Sequence, residues 1–136
     1  MNARGCNRTV LVVEDDHDVR EAIAEVLADS QYQAVPAANG AEALRQLRAA
    51  RVAPCLILLD VMMPVMDGWQ FRAEQQRDAK VKDIPVVVLS AHADAGDAAV
   101  RMSAVGYLSK PVALEQLLSM VERFCAVEPE SEEECK

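Results

Sequence analysis

Aromatic side chains are scarce in this chain: two Phe, two Tyr and one Trp among 136 residues. Any core must therefore be largely aliphatic, and with 51% of residues hydrophobic there is material for one packed domain and little more. Basic residues are in the minority, 14 Lys and Arg against 22 Asp and Glu, for a net charge of −8. Binding a phosphate backbone needs clustered cations and no basic run occurs, so a nucleic-acid surface is not expected. No apolar stretch approaches the roughly 20 residues of a membrane span. The first residues, Met1 to Cys6, lack the apolar segment of a secretory signal. The expected compartment is the cytoplasm, with no membrane partner. The four cysteines, Cys6, Cys55, Cys125 and Cys135, form no CxxC and no Cys/His ligand spacing. Cys55 enters an apolar strand and Cys125 lies on an apolar helix face, so both are expected as small core residues. Cys6 and Cys135 fall in the tails, and no disulfide framework is expected.

What is present is an alternation of short apolar runs and longer amphipathic stretches. Thr9–Val13 reads as a first strand, followed by a helix over about 17–30 with Val19, Ile23, Val26 and Leu27 at helical spacing. Gln33–Pro36 is a short, poor second strand, and Ala41–Ala50 a second helix. Cys55–Leu59 has no charged residue and fits a central strand covered on both faces. After Pro64 and Asp67-Gly68 a third helix runs to about Arg77, with Gln75 and Gln76 where apolar residues are expected. Val86–Leu89 is a fourth strand, a helix-like stretch continues to about Val105, and Tyr107-Leu108 is a short fifth strand. The last helix, Leu114 to Cys125, carries a stripe of Leu114, Leu117, Leu118, Val121, Phe124 and Cys125. Residues 1–7 read as a tail and 8–126 as the domain. The segment 127–136, with five Glu, reads as a disordered acidic tail or the start of a linker. Five strand–helix units predict an α/β fold, a doubly wound five-stranded parallel sheet of flavodoxin-like order 2-1-3-4-5.

The polar residues gather at one edge of that sheet. Glu14, Asp15 and Asp16 follow the first strand, Asp60 the third, Ser90 the fourth and Lys110 the fifth. Carboxyl ends of strands are where open α/β sheets build their sites. Adjacent first and third strands put Asp15 opposite Asp60, and two carboxylates about 4 Å apart repel by roughly 4 kcal/mol at an effective dielectric near 20. A divalent cation removes that repulsion, and oxygen-only ligands suit Mg²⁺. Asp16 and Asp18 are explained as the cap and first turn of the first helix. Taken singly, Asp60, Ser90 and Lys110 are ordinary loop or surface residues; their convergence is what indicates an anion-plus-metal site.

Four segments carry a family resemblance: Val10-Leu-Val-Val-Glu-Asp-Asp16, Leu58-Leu-Asp-Val-Met-Met-Pro-Val-Met-Asp-Gly68, Val86-Val-Val-Leu-Ser-Ala91 and Tyr107-Leu-Ser-Lys-Pro111. In this order they resemble the receiver domains of two-component response regulators, over about residues 8–126. The resemblance implies a signalling phosphoacceptor rather than an enzyme. Asp60 would take a phosphoryl group from a sensor histidine kinase or phosphotransfer protein. Asp15, Asp60 and the backbone carbonyl of Met62 would hold Mg²⁺, and Glu14 would act through a water. Lys110 and Ser90 would meet the phosphoryl oxygens, Tyr107 would turn on activation, and the Lys110–Pro111 peptide would be cis. The fourth helix, fifth strand and fifth helix would form the surface read by a downstream protein of unspecified identity. The stretch from Ser90 to Lys110 is short for the family, which implies that the fourth helix or its exit loop is trimmed. Met62 and His92 stand at the variable positions flanking the acceptor, and Met62 offers no polar group to an attacking water.

Other functions make distinguishable demands. A phosphatase of the haloacid-dehalogenase type needs a second Asp two residues after the nucleophile, where this chain has Met62. A flavodoxin-like cofactor binder needs a Ser/Thr/Gly-rich loop after the first strand, where this chain has Glu14-Asp15-Asp16. A degenerate receiver serving only as an interaction module would lack some of the matched site residues, all of which are here.

Overall fold

The computed structural model describes residues 8–63, 65–91 and 95–125. The expected tails, 1–7 and 127–136, lie outside them. Ten elements alternate: β1 (Thr9–Val13), α1 (His17–Asp29), β2 (Gln33–Ala37), α2 (Gly40–Ala49), β3 (Leu56–Asp60), α3 (Gly68–Gln76), β4 (Val86–Ser90), α4 (Ala95–Arg101), β5 (Gly106–Ser109) and α5 (Leu114–Cys125). All strand pairs are parallel, in the order β2-β1-β3-β4-β5. The expected flavodoxin-like fold is therefore the one observed.

Strand alternation explains the two-layer core. Leu11, Val13, Ile57, Leu59, Val86 and Val88 face one side, where Ala43 and Leu44 of α2, Phe71 of α3 and Ala98 and Ala99 of α4 cover them. Val10, Val12, Leu56, Leu58, Val87 and Leu89 face the other, against Ile23 and Leu27 of α1 and Leu117 and Val121 of α5. All five residues of β3 are buried, as a central strand requires. The poor strand β2 is an edge strand, the place in a sheet that tolerates Pro36. Asp16, Asn39 and Asp67 cap α1, α2 and α3 through their side chains, Asp67 in a full capping box with Gln70. Among the described residues, no helix is long and apolar enough to cross a membrane.

Four expectations need correction. The helix-like stretch expected to reach Val105 stops at Arg101. Ala104 N donates to Ala99 O and Ser103 N to Val100 O, the paired bonds of a Schellman ending, with Ser103 at φ 58°. The Arg72 guanidinium then takes the carbonyls of Met102 and Ser103 at 2.8 and 2.9 Å. Second, Gln75 is not a defect on α3. It is fully buried, its amide donates to Val81 O and Ile84 O, and its oxygen accepts from Arg72. Third, Leu114 leaves the α5 stripe and is 53% exposed, while Leu117, Val121 and Cys125 carry the packing. Fourth, Cys55 and Cys125 do sit at the core, but they are joined as a disulfide, with Cα atoms 5.4 Å apart. The sequence separation of 70 hides that proximity from any local spacing rule.

Ser103 yields a direct test. A left-handed conformation costs a residue with a Cβ roughly 1–2 kcal/mol, part of which glycine returns as greater chain entropy. Ser103→Gly is expected to stabilise the fold by about 1 kcal/mol, raising the melting temperature by about 3 °C. Thermal unfolding checks it, and an unchanged or lower midpoint contradicts it.

Candidate functional site

The carboxyl ends of β1, β3 and β5 meet at a cleft of about 210 Å³ whose walls include Asp15, Asp60, Met62, Ala91 and Lys110. Glu14 turns inward directly after β1 and is fully buried. Its backbone N donates to Ala37 O at 3.0 Å, and the Arg20 guanidinium donates to its carbonyl at 2.7 Å. Its Oε2 accepts from Asp16 N at 3.1 Å. Asp60 ends β3 and is only 4% exposed, its Oδ1 accepting from Met62 N at 3.3 Å. Asp15 is exposed at the rim. One carboxylate oxygen from each of Glu14, Asp15 and Asp60 lies within 4.8 Å of the others.

Lys110 closes the group. Its Nζ is 2.6 Å from Glu14 Oε1 and 3.3 Å from Asp60 Oδ2. Its backbone N donates to Ser90 O, which fixes the end of β5 against β4. The Lys110–Pro111 peptide is cis, as expected. Burial pushes the Asp60 carboxyl up to about 7, the neighbouring Glu14 carboxylate adds to the rise, and the Lys110 ammonium opposes it. Burial alone would lower the Lys110 pKa, but Glu14 and Asp60 more than offset it and the net direction is up.

This donor set fits a hard divalent cation: three carboxylates, no sulfur or imidazole, converging where burial and then the Glu14 carboxylate raise the Asp60 pKa against the pull of Lys110. Ser90 is buried at the end of β4, on the same sheet edge. Tyr107, on β5, is 49% exposed, with its ring lying along α4 at Gly96, where an added Cβ would be 3.3 Å away. His92 lies outside the described residues. The sequence residues Glu14, Asp15, Asp60, Met62 and Lys110 are thus brought together, with Ser90 behind them and Tyr107 further out.

The sequence marks Gly68 only as part of a loop. A Cβ there would stand 2.7 Å from the Asp60 carbonyl oxygen and 2.8 Å from Val61 Cα, so this glycine lets α3 abut the strand end that carries Asp60. A DG pair signals a turn, and nothing local in it signals that approach.

The model of the response regulator receiver domain matches residues 10–122. The chain belongs to that family. The family's function is to accept a phosphoryl group in two-component signalling. This receiver domain is 35% identical over 116 residues to PhoB, the phosphate regulon transcriptional regulatory protein of Escherichia coli. That match takes in 84% of this chain and 50% of PhoB, so the chain spans about half the length of that relative. Among solved structures it superposes on the chemotaxis protein CheY4 of Vibrio cholerae with a TM-score of 0.78 and 31% identity, over 87% of this chain and 98% of that one. It also superposes on the receiver domain of sensor histidine kinase PA1611 of Pseudomonas aeruginosa, with a TM-score of 0.78 and 26% identity, over 88% and 98% of the two chains. That structure has a magnesium ion coordinated in its active-site cleft.

Proposed function

We propose that Asp60 is the phosphoacceptor of this receiver domain and that Glu14, Asp15, Asp60 and the Met62 backbone carbonyl form its Mg²⁺ site, Glu14 through a water. The observation that carries the reading is the buried Asp60 carboxylate, 3.3 Å from the Lys110 ammonium and grouped with two further carboxylates. The magnesium reported in the PA1611 receiver cleft supports the choice of ion. Bound here, Mg²⁺ supplies positive charge against the phosphoryl oxygens and the acidic cluster.

The remaining work falls to this chain's own groups. An Asp60 carboxylate oxygen attacks the phosphorus of a phosphohistidine on a sensor histidine kinase or phosphotransfer protein. The phosphorus–nitrogen bond breaks, and the imidazole leaves. The backbone N–H of Met62 and the Lys110 ammonium hold the nucleophile in place. Lys110 then pairs with phosphoryl oxygens, and the Ser90 hydroxyl donates to one of them. The new charge draws Ser90 forward and lets the Tyr107 ring leave the face of α4. The surface of α4, β5 and α5 thereby changes for a downstream protein. The chain works as a cytoplasmic signalling phosphoacceptor that catalyses only its own phosphoryl gain and loss. A phosphatase of the haloacid-dehalogenase type is disfavoured because Met62 stands where its general acid is required.

Incubation with acetyl phosphate and Mg²⁺ tests the reading. Peptide mass spectrometry is expected to locate one phosphoryl group on Asp60, and none in Asp60→Asn. Labelling elsewhere, or none in the native chain, rejects it. The phosphorylated form is expected to persist for minutes or longer, because the 62%-exposed Met62 side chain cannot orient a water. Timing its decay in Mg²⁺ buffer checks this, and a half-life of seconds contradicts it.

A further inference from the structure

At the opposite end of β3 from Asp60, the chain carries a second chemical site. Cys55 immediately precedes β3 and Cys125 is the last residue of α5. Their Cα separation of 5.4 Å lies within the range a disulfide spans without moving the backbone. We propose that this pair is a reversible thiol–disulfide site, exchanging with low-molecular-weight disulfides of the glutathione type, which sets how firmly the end of α5 is held to the sheet.

Three observations carry this. The two residues are unequally exposed: Cys55 is half-buried, whereas Cys125 is 3% exposed among the side chains that pack α5 onto the sheet. That asymmetry suits an entry thiol and a resolving thiol. Next, the reduced state is provided for. Cys55 Sγ lies 3.2 Å from Thr9 O, a carbonyl to which a free thiol can donate. Finally, the core does not depend on the bond. Both faces of the sheet are covered by aliphatic side chains, unlike the core-poor small domains that need disulfides to fold.

The exchange balances. The Cys55 thiolate attacks one sulfur of the small disulfide, forming a mixed disulfide and releasing one small thiolate, which takes up a proton. The Cys125 thiolate, its proton given to solvent, attacks the Cys55 sulfur and releases the second small thiol. Two protein thiols are oxidised by two electrons in total, and one small disulfide is reduced to two thiols. The product ties residues 70 apart in sequence and pins the last turn of α5.

The whole chain is equilibrated in buffers of varied glutathione to glutathione-disulfide ratio, quenched in acid, alkylated and mapped by mass spectrometry. The Cys55–Cys125 cross-link is expected to rise and fall with that ratio in the folded protein. Amide exchange in the last turn of α5 is expected to slow at least tenfold on oxidation, and the melting temperature to rise by something on the order of 10 °C. Cys55→Ser and Cys125→Ser are each expected to stay at the reduced values in every buffer. Should either variant fail to fold, the comparison of oxidised with reduced native chain still decides. Cross-links through Cys6 or Cys135 instead, a bond that yields only after denaturation, or equal protection in both states would each overturn the proposal. Phosphoryl labelling of Asp60 is a separate readout, so the failure of one idea leaves the other standing.

Discussion

Asp60→Asn is expected to raise the stability of the metal-free protein at pH 8 while abolishing phosphoryl uptake. The Asp60 carboxyl is pushed up from an ordinary 3.8 to about 7, first by burial and then by Glu14. A raised acid pKa means that the native state binds more protons than the unfolded chain between those two values. Stability contributed by this group therefore falls as pH climbs from about 4 to about 7, and the full deficit applies above that window. After allowance for water at the open mouth of the cleft, the deficit is about 2 kcal/mol. Asn has nothing to ionise and escapes it. The Lys110 attraction lost in the variant is already counted, since it acts on Asp60 in the opposite sense and is outweighed. Thermal unfolding without metal should place Asp60→Asn about 5 °C above the native chain at pH 8, with the gap falling to roughly a third of that at pH 5 and closing below about pH 4. Adding Mg²⁺ at pH 8 should stabilise the native chain and leave the variant nearly unmoved. A variant less stable than native at pH 8, or a gap of equal size at both pH values, contradicts the argument.

The same repulsion between buried carboxylates makes the site legible in the sequence. A fold has no use for carboxylates crowded around a buried strand end, so Glu14, Asp15 and Asp60 stand out against their apolar strands. The strands were equally legible: the near-continuous apolar runs of β1, β3 and β4 have no other home than the middle of a parallel sheet. The core-facing helix positions followed from their spacing, apart from Leu114, which is exposed in the first turn of α5, and Leu118, which is only half-buried and joins neither face of the core.

What stayed hidden was decided by partners distant in sequence. Gln75 and Arg72 occupy polar positions on a weakly amphipathic helix. They are buried because backbone carbonyls of Val81, Ile84, Met102 and Ser103 happen to need donors there. Periodicity records which residues avoid water, not which polar groups find a substitute for it. The early end of α4 has the same origin, since the carbonyls beyond Arg101 turn toward Arg72. The Cys55–Cys125 bond joins the start of a strand to the end of the last helix, and spacing rules for cysteine see only local motifs.

Gly68→Ala is expected to be the most damaging small substitution near the site. The added methyl would meet the Asp60 carbonyl oxygen at 2.7 Å and Val61 Cα at 2.8 Å. Both are backbone atoms at the end of the central strand, so no side-chain rotation relieves the contact. The Gly68 N–H also donates to Val61 O at 2.9 Å, which holds the start of α3 against that strand end. Either α3 moves off and loses this bond, or the Asp60–Val61 peptide is displaced and the Asp60 carboxylate swings away from Lys110. The first route costs stability and the second costs chemistry. Together they should lower unfolding free energy by about 3 kcal/mol, the upper range for overpacking, and slow acetyl phosphate labelling of Asp60 at least tenfold. Gly96→Ala is the informative control. Its methyl would lie 3.3 Å from the ring edge of half-exposed Tyr107, a side chain free to give way, and a helical glycine replaced by alanine gains up to about 1 kcal/mol. Urea unfolding and labelling rates of the two variants should therefore diverge. If Gly68→Ala retains both native stability and native labelling, the close approach of α3 to β3 has no part in holding Asp60 in place.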